Sequence, residues 1–293
     1  MRQALYLCAA CVLGLFVGLA AWQRGAATFI RGAPSHALSN PEDGGIANGS
    51  YTNKYFGLSY RPQQGWIEGE AGADPSDSGY YVLTTLIPDS ELDATILVAA
   101  QDMFFGSDTR ASLSATTHDF QQAVSSIDGM TIDRATTEVK IGGHPFFRVD
   151  YSGVGLFRGA ISTEIRCHVV SFNLTAREPA LLERLAESLN DLSFAAPGLE
   201  PSPPPCVKDY AIDDNVLRKV VPVPAEPKFT SIPVRIIVGA DGSVKHVHVI
   251  RATADQRHNI EEALYQWKLK PYQVGGRPSP IETGLVFKFT SDK

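Results

Sequence analysis

The clearest alternation of apolar and polar positions lies in the last fifth of the chain. Val234, Ile236 and Val238 recur at every second position, which predicts a strand buried on at least one face. The Asp241-Gly242 pair follows, and this dipeptide tolerates the positive φ angles of a tight turn. Because a second alternating run begins at Val244, the pattern predicts a β-hairpin.

An amphipathic helix is predicted to follow the hairpin. Thr253 and Gln256 have the spacing of a capping box, and Pro271 limits how far the helix can continue. Its apolar stripe has the spacing i, i+3, i+4, i+7 and consists of Ile260, Ala263, Leu264 and Trp267. The Gly275-Gly276 pair then predicts a turn, and alternation over residues 285–289 predicts a closing strand.

Taken together, these features resemble the C-terminal domain of TonB-family proteins. The resemblance covers residues 209–289, and its most diagnostic parts are Asp241-Gly242 and the Trp-Lys-Leu-Lys-Pro run at residues 267–271. An unrelated small α+β domain with the same pattern is the alternative. The resemblance implies a ββαβ domain that binds an extended peptide at an exposed sheet edge. The binding residues that it implies are Gln273, Arg277, Leu285, Val286, Phe287, Lys288 and Phe289.

Residues 51–194 form a second block, in which strands outnumber helices. Helices are predicted around residues 113–127 and over residues 178–190. Alternating or β-branched runs predict strands at residues 80–87, 95–100, 131–141, 145–151 and 161–174. Short turns between these strands favour an antiparallel sheet with helices packed on it.

This block resembles PsbP-like domains. The similar parts are the opening run at residues 53–60, Gly65-Trp66, the Gly142-Gly143 turn and the Leu-Ser-Phe end at residues 192–194. The resemblance implies an α/β/α sandwich around an antiparallel sheet, a binding or assembly role, and no catalytic residues. The predicted fold class is therefore α+β, with this domain and the small TonB-like domain following an N-terminal membrane helix.

Composition divides the chain into five segments. Residues 4–22 are almost continuously apolar, a length between that of a signal-peptide core and a spanning helix of roughly 20 residues. The predicted boundaries are 1–31 for a signal anchor or cleaved signal peptide, 32–50 for a flexible tether, 51–194 for the PsbP-like domain, 195–208 for a proline-rich linker and 209–293 for the TonB-like domain. We expect a single-pass inner-membrane protein with both domains in the periplasm, or release into the periplasm after cleavage.

Charge and cysteine content narrow the classes of partner. The net charge of −6, with no block of Lys or Arg, argues against nucleic acid. Of the four cysteines, only Cys167 and Cys206 lie outside the apolar N-terminal run. In an oxidising compartment they could form a disulfide, and otherwise they would be two separate thiols.

Signals for catalysis are sparse. His246 and His248 share one face of a predicted strand, but two ligands do not complete a metal site, so we expect solvent-facing histidines. The sequence contains no motif for a serine nucleophile, a zinc protease or a phosphate-binding loop. The sequence therefore predicts no catalytic residue, no cofactor and no metal, and we do not expect an enzyme.

The predicted function is that of a membrane-anchored periplasmic protein-binding module. The expected partners are envelope proteins, among them a TonB-dependent outer-membrane receptor. Energy coupling is a weaker expectation, because residues 1–22 contain neither the Ser nor the His by which TonB transducers couple to a motor complex. A structural assembly factor without energy coupling is the alternative, and a periplasmic enzyme is a third class. An open final strand would favour peptide binding, a covered edge a structural role, and a buried set of His, Asp and Glu an enzyme.

Overall fold

The computed structural model describes residues 39–70, 72–90, 93–106, 113–195, 203–223 and 228–289. The apolar segment at residues 4–22 and residues 32–38 of the predicted tether lie outside these ranges, so the expected membrane helix is not described. Among the described residues, no helix is both long and apolar enough to cross a membrane.

The part of the chain before the linker is built mainly from antiparallel strands. In chain order these are β1 (Gly44–Ala47), β2 (Ser50–Asn53), β3 (Leu58–Tyr60), β4 (Trp66–Glu68), β5 (Tyr80–Pro88), β6 (Ala94–Asp102), β7 (Thr131–Ile141), β8 (His144–Gly153), β9 (Leu156–Ile165), β10 (His168–Ala176) and β11 (Ser193–Phe194). Seven of these strands form a sheet in the order β4-β5-β6-β10-β9-β8-β7, here called the large sheet. Strands β1-β2-β3-β11 form a separate four-stranded sheet.

Two helices pack on the large sheet. Helix α1 (Leu113–Ser125) contacts β7 and β8, and helix α2 (Pro179–Ser188) contacts β9 and β10. The mixed α/β architecture with mostly antiparallel strands and few helices is thereby confirmed. The layer order of the sandwich stays a prediction.

The core of the large sheet follows from the spacing of its apolar residues. Val170, Phe172 and Leu174 of β10 are buried, and the residues between them are half-buried. Leu182 and Leu185 of α2 enter the same core. Burying one such side chain stabilises the fold by about 2 kcal/mol, so the strand period of two and the helical stripe together supply the packing energy.

The predicted tether is wrong for residues 44–50. Strands β1 and β2 form a hairpin whose turn is Asn48-Gly49, with φ of 52° and 71°. Both angles lie in the left-handed region that a tight primed turn requires, and Asn-Gly is the pair that adopts it most readily. The Gly- and Asn-rich composition that suggested flexibility therefore belongs to a turn.

The predicted single strand over residues 161–174 is also wrong. Strands β9 and β10 are two antiparallel strands joined by Arg166-Cys167, with φ of 48° and 62°. Arg and Cys rarely occupy the left-handed region, so the sequence carried no turn signal here. One consequence is that Cys167 lies at a hairpin turn rather than within a strand.

The C-terminal part contains one small sheet, two short strand pairs and a helix. Its elements are β12 (Val216–Arg218), β13 (Ser231–Val238), β14 (Val244–Val249), α3 (Ala254–Leu264), β15 (Lys268–Leu269), β16 (Tyr272–Val274), β17 (Arg277–Ser279) and β18 (Ile281–Lys288). Strands β14-β13-β18 form an antiparallel sheet, here called the small sheet. Strand β12 pairs with β15, and β16 pairs with β17. The predicted hairpin, helix and closing strand are all present.

Helix α3 begins as the sequence predicts. The Thr253 side chain accepts a hydrogen bond from the Gln256 N–H, and the Gln256 side chain accepts one from the Thr253 N–H. Together these two bonds satisfy main-chain donors that the helix itself leaves free. The apolar stripe and Trp267 then pack on β13 and β14 to form a second core.

Strand β13 is buried on both faces, which a lone three-stranded sheet would not allow. Ile232, Val234 and Ile236 belong to the core under α3. Arg235 and Ile237 point the other way, yet they too are buried. Asp102 and His168 of the large sheet contact Arg235 on this second face, and both sheets belong to one compact unit.

Candidate functional site

The structure divides the predicted binding residues between two elements. Residues 285–289 follow one another along and just beyond β18, an edge strand of the small sheet. Gln273 lies on β16 and Arg277 on β17, and these two strands pair only with each other in the described chain. The sheet edge is therefore formed by β18 without the hairpin that carries Gln273 and Arg277.

Main-chain groups along β18 point alternately toward β13 and away from it. The Phe289 N–H donates to the Thr230 carbonyl, on the β13 side. The Glu282 N–H donates to the Pro205 carbonyl, on the opposite side. Even-numbered residues of β18 therefore direct their main-chain groups away from β13, because the direction changes with every residue.

The first part of this outer edge is covered by the linker. The Glu282 N–H lies 3.0 Å from the Pro205 carbonyl oxygen, and the Val207 N–H lies 2.9 Å from the Glu282 carbonyl oxygen. Cys206 thus pairs with Glu282 as a short parallel bridge. At Asp209 the backbone has a φ of 53°, and Tyr210 N–H donates to the Thr283 hydroxyl instead of continuing the pairing.

The second part of the outer edge is open. Within the described ranges, the outward main-chain groups of Gly284, Val286 and Lys288 have no hydrogen-bond partner. Val286 is 44% exposed, and Lys288 is exposed as well. An unpaired strand edge with an exposed apolar side chain is a template for another strand.

Aromatic side chains line the face of β18 that is turned toward α3. The Phe287 and Phe289 rings stack with centroids 6.4 Å apart, and Trp267 meets Phe287 edge-on at 6.2 Å. Both phenylalanines remain only half-buried. The open edge is therefore flanked by apolar surface on one side and by Val286 on the other.

Behind this edge lies a buried group of charged residues that joins the two sheets, here called the junction cluster (Asp102, His168, Arg235 and Glu282). Arg235 of β13 is only 2% exposed. Its guanidinium donates to Asp102 of β6 and, at 2.8 Å, to Glu282 Oε1 of β18. Burial disfavours a charged guanidinium, but Asp102 and then Glu282 outweigh that effect and raise the pKa of Arg235.

His168 completes the junction cluster as a neutral imidazole. Its Nδ1 lies 2.7 Å from the Arg166 carbonyl oxygen, and its Nε2 lies 3.2 Å from Arg235 Nη1. Burial, and then the Arg235 charge, hold the pKa of His168 well below its usual value. The neutral ring donates at Nδ1 and accepts at Nε2, so both nitrogens are engaged.

The junction cluster was not found from the sequence, although one signal was present. Arg235 interrupts a strand in which every neighbour is apolar, and a charged residue in such a strand needs a partner once both faces are covered. Its partner Asp102 lies 133 residues earlier in the chain. Pairing at that separation is not visible in the sequence of one protein.

The prediction that His246 and His248 face solvent is wrong for His248. His248 is 5% exposed, and its Nε2 lies 2.9 Å from Glu42 Oε1. Its ring stacks on Tyr81 of the large sheet at 6.3 Å. His246 is half-buried, and burial lowers its pKa. Both histidines lie on the face of the small sheet that the large sheet covers.

Cys167 and Cys206 are joined by a disulfide, with their Cα atoms 5.7 Å apart. Cys167 is buried at the β9–β10 turn, whereas Cys206 is exposed in the linker. The bond therefore ties the linker to the large sheet at the point where it covers β18. Cys167 Sγ also lies 3.9 Å from Glu282 Oε2, so the disulfide borders the junction cluster.

Comparison with known proteins gives partial structural similarity only. No family model matches the chain, and no curated protein matches it. Similar solved structures include cyanobacterial PsbP (CyanoP) from Synechocystis sp. PCC 6803, with 18% identity, a TM-score of 0.36, and coverage of 52% of this chain and 96% of CyanoP.

Two other solved structures are similar over about half of the chain. The Ran-binding protein Mog1p of Saccharomyces cerevisiae has 10% identity and a TM-score of 0.33, and covers 47% of this chain and 90% of its own. LpqN, involved in cell envelope biogenesis of Mycobacterium tuberculosis, has 12% identity and a TM-score of 0.32. The match covers 47% of this chain and 83% of LpqN. Because all these TM-scores lie below 0.5, we draw no function from them. The TonB-type resemblance stays a prediction from sequence motifs.

Proposed function

We propose that this protein is an exported protein-binding module that takes an extended segment of a partner as an added strand along the open part of β18. The observation that carries the proposal is the row of unpaired outward main-chain groups at Gly284, Val286 and Lys288. In strand addition, main-chain hydrogen bonds supply affinity and alternate side chains supply specificity.

The surroundings of the edge favour a partner segment with alternating apolar residues. Side chains on one face of an added strand would pack beside Phe287 and Phe289, and those on the other would meet Val286. The resemblance to TonB-type domains makes an envelope protein, such as an outer-membrane receptor, the expected source of that segment.

The disulfide supports the exported location that we propose. Disulfides persist in oxidising compartments such as the bacterial periplasm and are rare in the cytosol. The Cys167–Cys206 bond ties the linker to the large sheet, so it belongs to the folded structure described here. Whether an N-terminal anchor or a cleaved signal accounts for the export remains outside the described residues.

A proline substitution at the edge tests the proposal. The Val286 N–H points away from β13, so Val286→Pro removes a donor that only an added strand would use. A peptide selected from a display library on the wild-type protein should bind the Pro variant at least about tenfold more weakly, the worth of one or two hydrogen bonds with their steric contact. Val286→Thr keeps the N–H and the β-branched shape, so it should bind more tightly than the Pro variant. Equal binding by all three proteins would contradict strand addition.

A structural assembly role without energy coupling is the second candidate. The observation in its favour is that the linker covers β18 at Glu282, which shortens the edge that a partner could use. In that role envelope proteins would bind elsewhere on the surface, and Val286→Pro would leave their recovery from solubilised envelopes unchanged. The same substitution therefore separates the two candidates.

The buried Asp, His and Glu of the junction cluster have the composition that an enzyme would show, but we infer a positioning role. Arg235 engages both carboxylates, and His168 has both nitrogens engaged. A general base needs a free lone pair within reach of a substrate. The geometry is that of a charge network that joins the large sheet to the small sheet.

A further inference from the structure

We propose that the Cys167–Cys206 disulfide is a redox-controlled latch that sets how much of β18 a partner can use. The latch consists of residues 205–207 and this disulfide. The inference about partner binding rests on the proposed strand addition, whereas the release of residues 205–207 on reduction does not.

The latch occupies main-chain groups that an added strand would need. Glu282 is the first residue of β18 whose N–H and C=O point outward, and the linker bonds to both, through Pro205 and Val207. Beyond Val207 the chain leaves the edge at the left-handed Asp209. The oxidised protein therefore offers the outward groups of Gly284 and later residues, but not those of Glu282.

The disulfide is the covalent part of this contact. Two hydrogen bonds hold the linker on Glu282, and each contributes little to net stability when water can replace it. Cys206 lies between the two bonded linker residues and is fixed to Cys167 on the rigid large sheet. With the disulfide open, residues 205–207 would be held by the two hydrogen bonds and by the packing of Val207 on the second core, in competition with water or with an incoming strand.

Cys206 is the exposed residue of the pair and Cys167 the buried one, which defines how reduction would proceed. A thiolate of a dithiol reductant attacks the exposed Cys206 Sγ, the S–S bond breaks, and Cys167 leaves as a thiolate that takes up a proton. The second thiolate of the dithiol then attacks the dithiol sulfur of the mixed disulfide. An S–S bond forms within the dithiol and Cys206 leaves as a thiolate that takes up a proton, so two electrons pass from the dithiol to the protein disulfide. Glu282 Oε2, 3.9 Å from Cys167 Sγ, is an acceptor already in place for the new thiol.

Amide exchange at two neighbouring residues tests the latch directly. The Glu282 N–H bonds to the linker, whereas the Thr283 N–H points toward β13. On reduction with dithiothreitol, exchange at Glu282 measured by NMR should accelerate at least about tenfold while Thr283 stays protected. Cys206→Ser should show the reduced pattern with or without dithiothreitol.

Two results would overturn the latch. Unchanged exchange at Glu282 in the reduced protein would show that the linker stays on the edge without the disulfide. Loss of protection at both Glu282 and Thr283 would show that the disulfide holds the sheet together rather than gating its edge.

A binding measurement separates the latch from the proposed function. A peptide selected on the wild-type protein should bind the reduced protein about tenfold more tightly, because two more main-chain hydrogen bonds become available. If exchange at Glu282 accelerates but peptides bind neither redox form, the latch stands and strand addition fails. If peptides bind both forms equally and exchange is unchanged, strand addition stands and the latch fails.

Discussion

Among single residues, Arg235 determines how the large and small sheets pack together. A guanidinium buried to this degree is tolerated only because Asp102 and Glu282 neutralise it from opposite sides. The three groups form one unit, since both buried carboxylates depend on Arg235 as their cation. We therefore expect the junction cluster to specify the packing of the sheets more than it adds to net stability.

Substitution of Arg235 tests this account. Arg235→Met leaves two buried carboxylates unpaired and should lower the free energy of unfolding by about 3–5 kcal/mol, measured by urea denaturation. Arg134→Met is the control, because Arg134 also bonds a carboxylate, that of Asp150, but its side chain is 44% exposed. Arg134→Met should lower the free energy of unfolding by about 1 kcal/mol or less. Equal losses would show that burial of the pair has no special weight.

His168 predicts how stability depends on pH. Its pKa is depressed in the folded state, so below the ordinary value of 6.5 the unfolded chain binds a proton that the folded chain does not. The stability contributed by neutral His168 is thus present above pH 6.5 and is lost as the pH falls. As the pH falls below 6.5, this residue should lower the unfolding free energy by up to about 1.4 kcal/mol per pH unit.

The control for this pH effect is His168→Gln, which does not titrate. Because burial also lowers the pKa of His246, the variant should keep a shallower slope rather than none. The comparison is the difference in slope between the two proteins, measured by denaturation in a series of buffers. An identical slope in both would contradict the assignment of the effect to His168.

For individual elements, local signals in the sequence were sufficient where the residue types favour the observed backbone and were recognised as a cap or a turn. The Thr253–Gln256 capping box and the Asp241-Gly242 turn formed as predicted, because each depends on residues within a few positions. The Arg166-Cys167 turn was missed because neither residue type favours positive φ. The junction between the sheets was missed because its charges come from distant strands.

Substitution of two glycines tests how closely β15 approaches the hairpin turn at Gly242. Gly242 and Gly276 have similar positive φ, 81° and 77°. A Cβ added at Gly242 would collide with the Leu269 carbonyl. A Cβ added at Gly276 would meet none of the described atoms. Ala at either position carries a left-handed penalty of about 1–2 kcal/mol. Only Gly242→Ala should also displace β15 and lose clearly more stability in thermal unfolding. Equal losses would contradict the close approach.

At the scale of the whole molecule, the large and small sheets are expected to unfold together. Trp66 lies on the large sheet, and Trp267 lies in the core of the small one. With fluorinated tryptophan, ¹⁹F NMR should report the same urea midpoint at both positions, because the junction cluster and the disulfide couple the sheets. Arg235→Met should separate the two midpoints. Separate midpoints in the wild-type protein would contradict the coupling.

Photo-crosslinking in intact cells can show whether a partner adds a strand to β18. A photoreactive amino acid would replace Lys288 on the edge or, as a control, exposed Tyr265 beyond α3. If a strand is added, position 288 should crosslink to one extended segment of an envelope protein. Val286→Pro should abolish this product, and Val286→Thr should keep it. Crosslinks that persist in the Pro variant, or that form equally from position 265, would contradict strand addition.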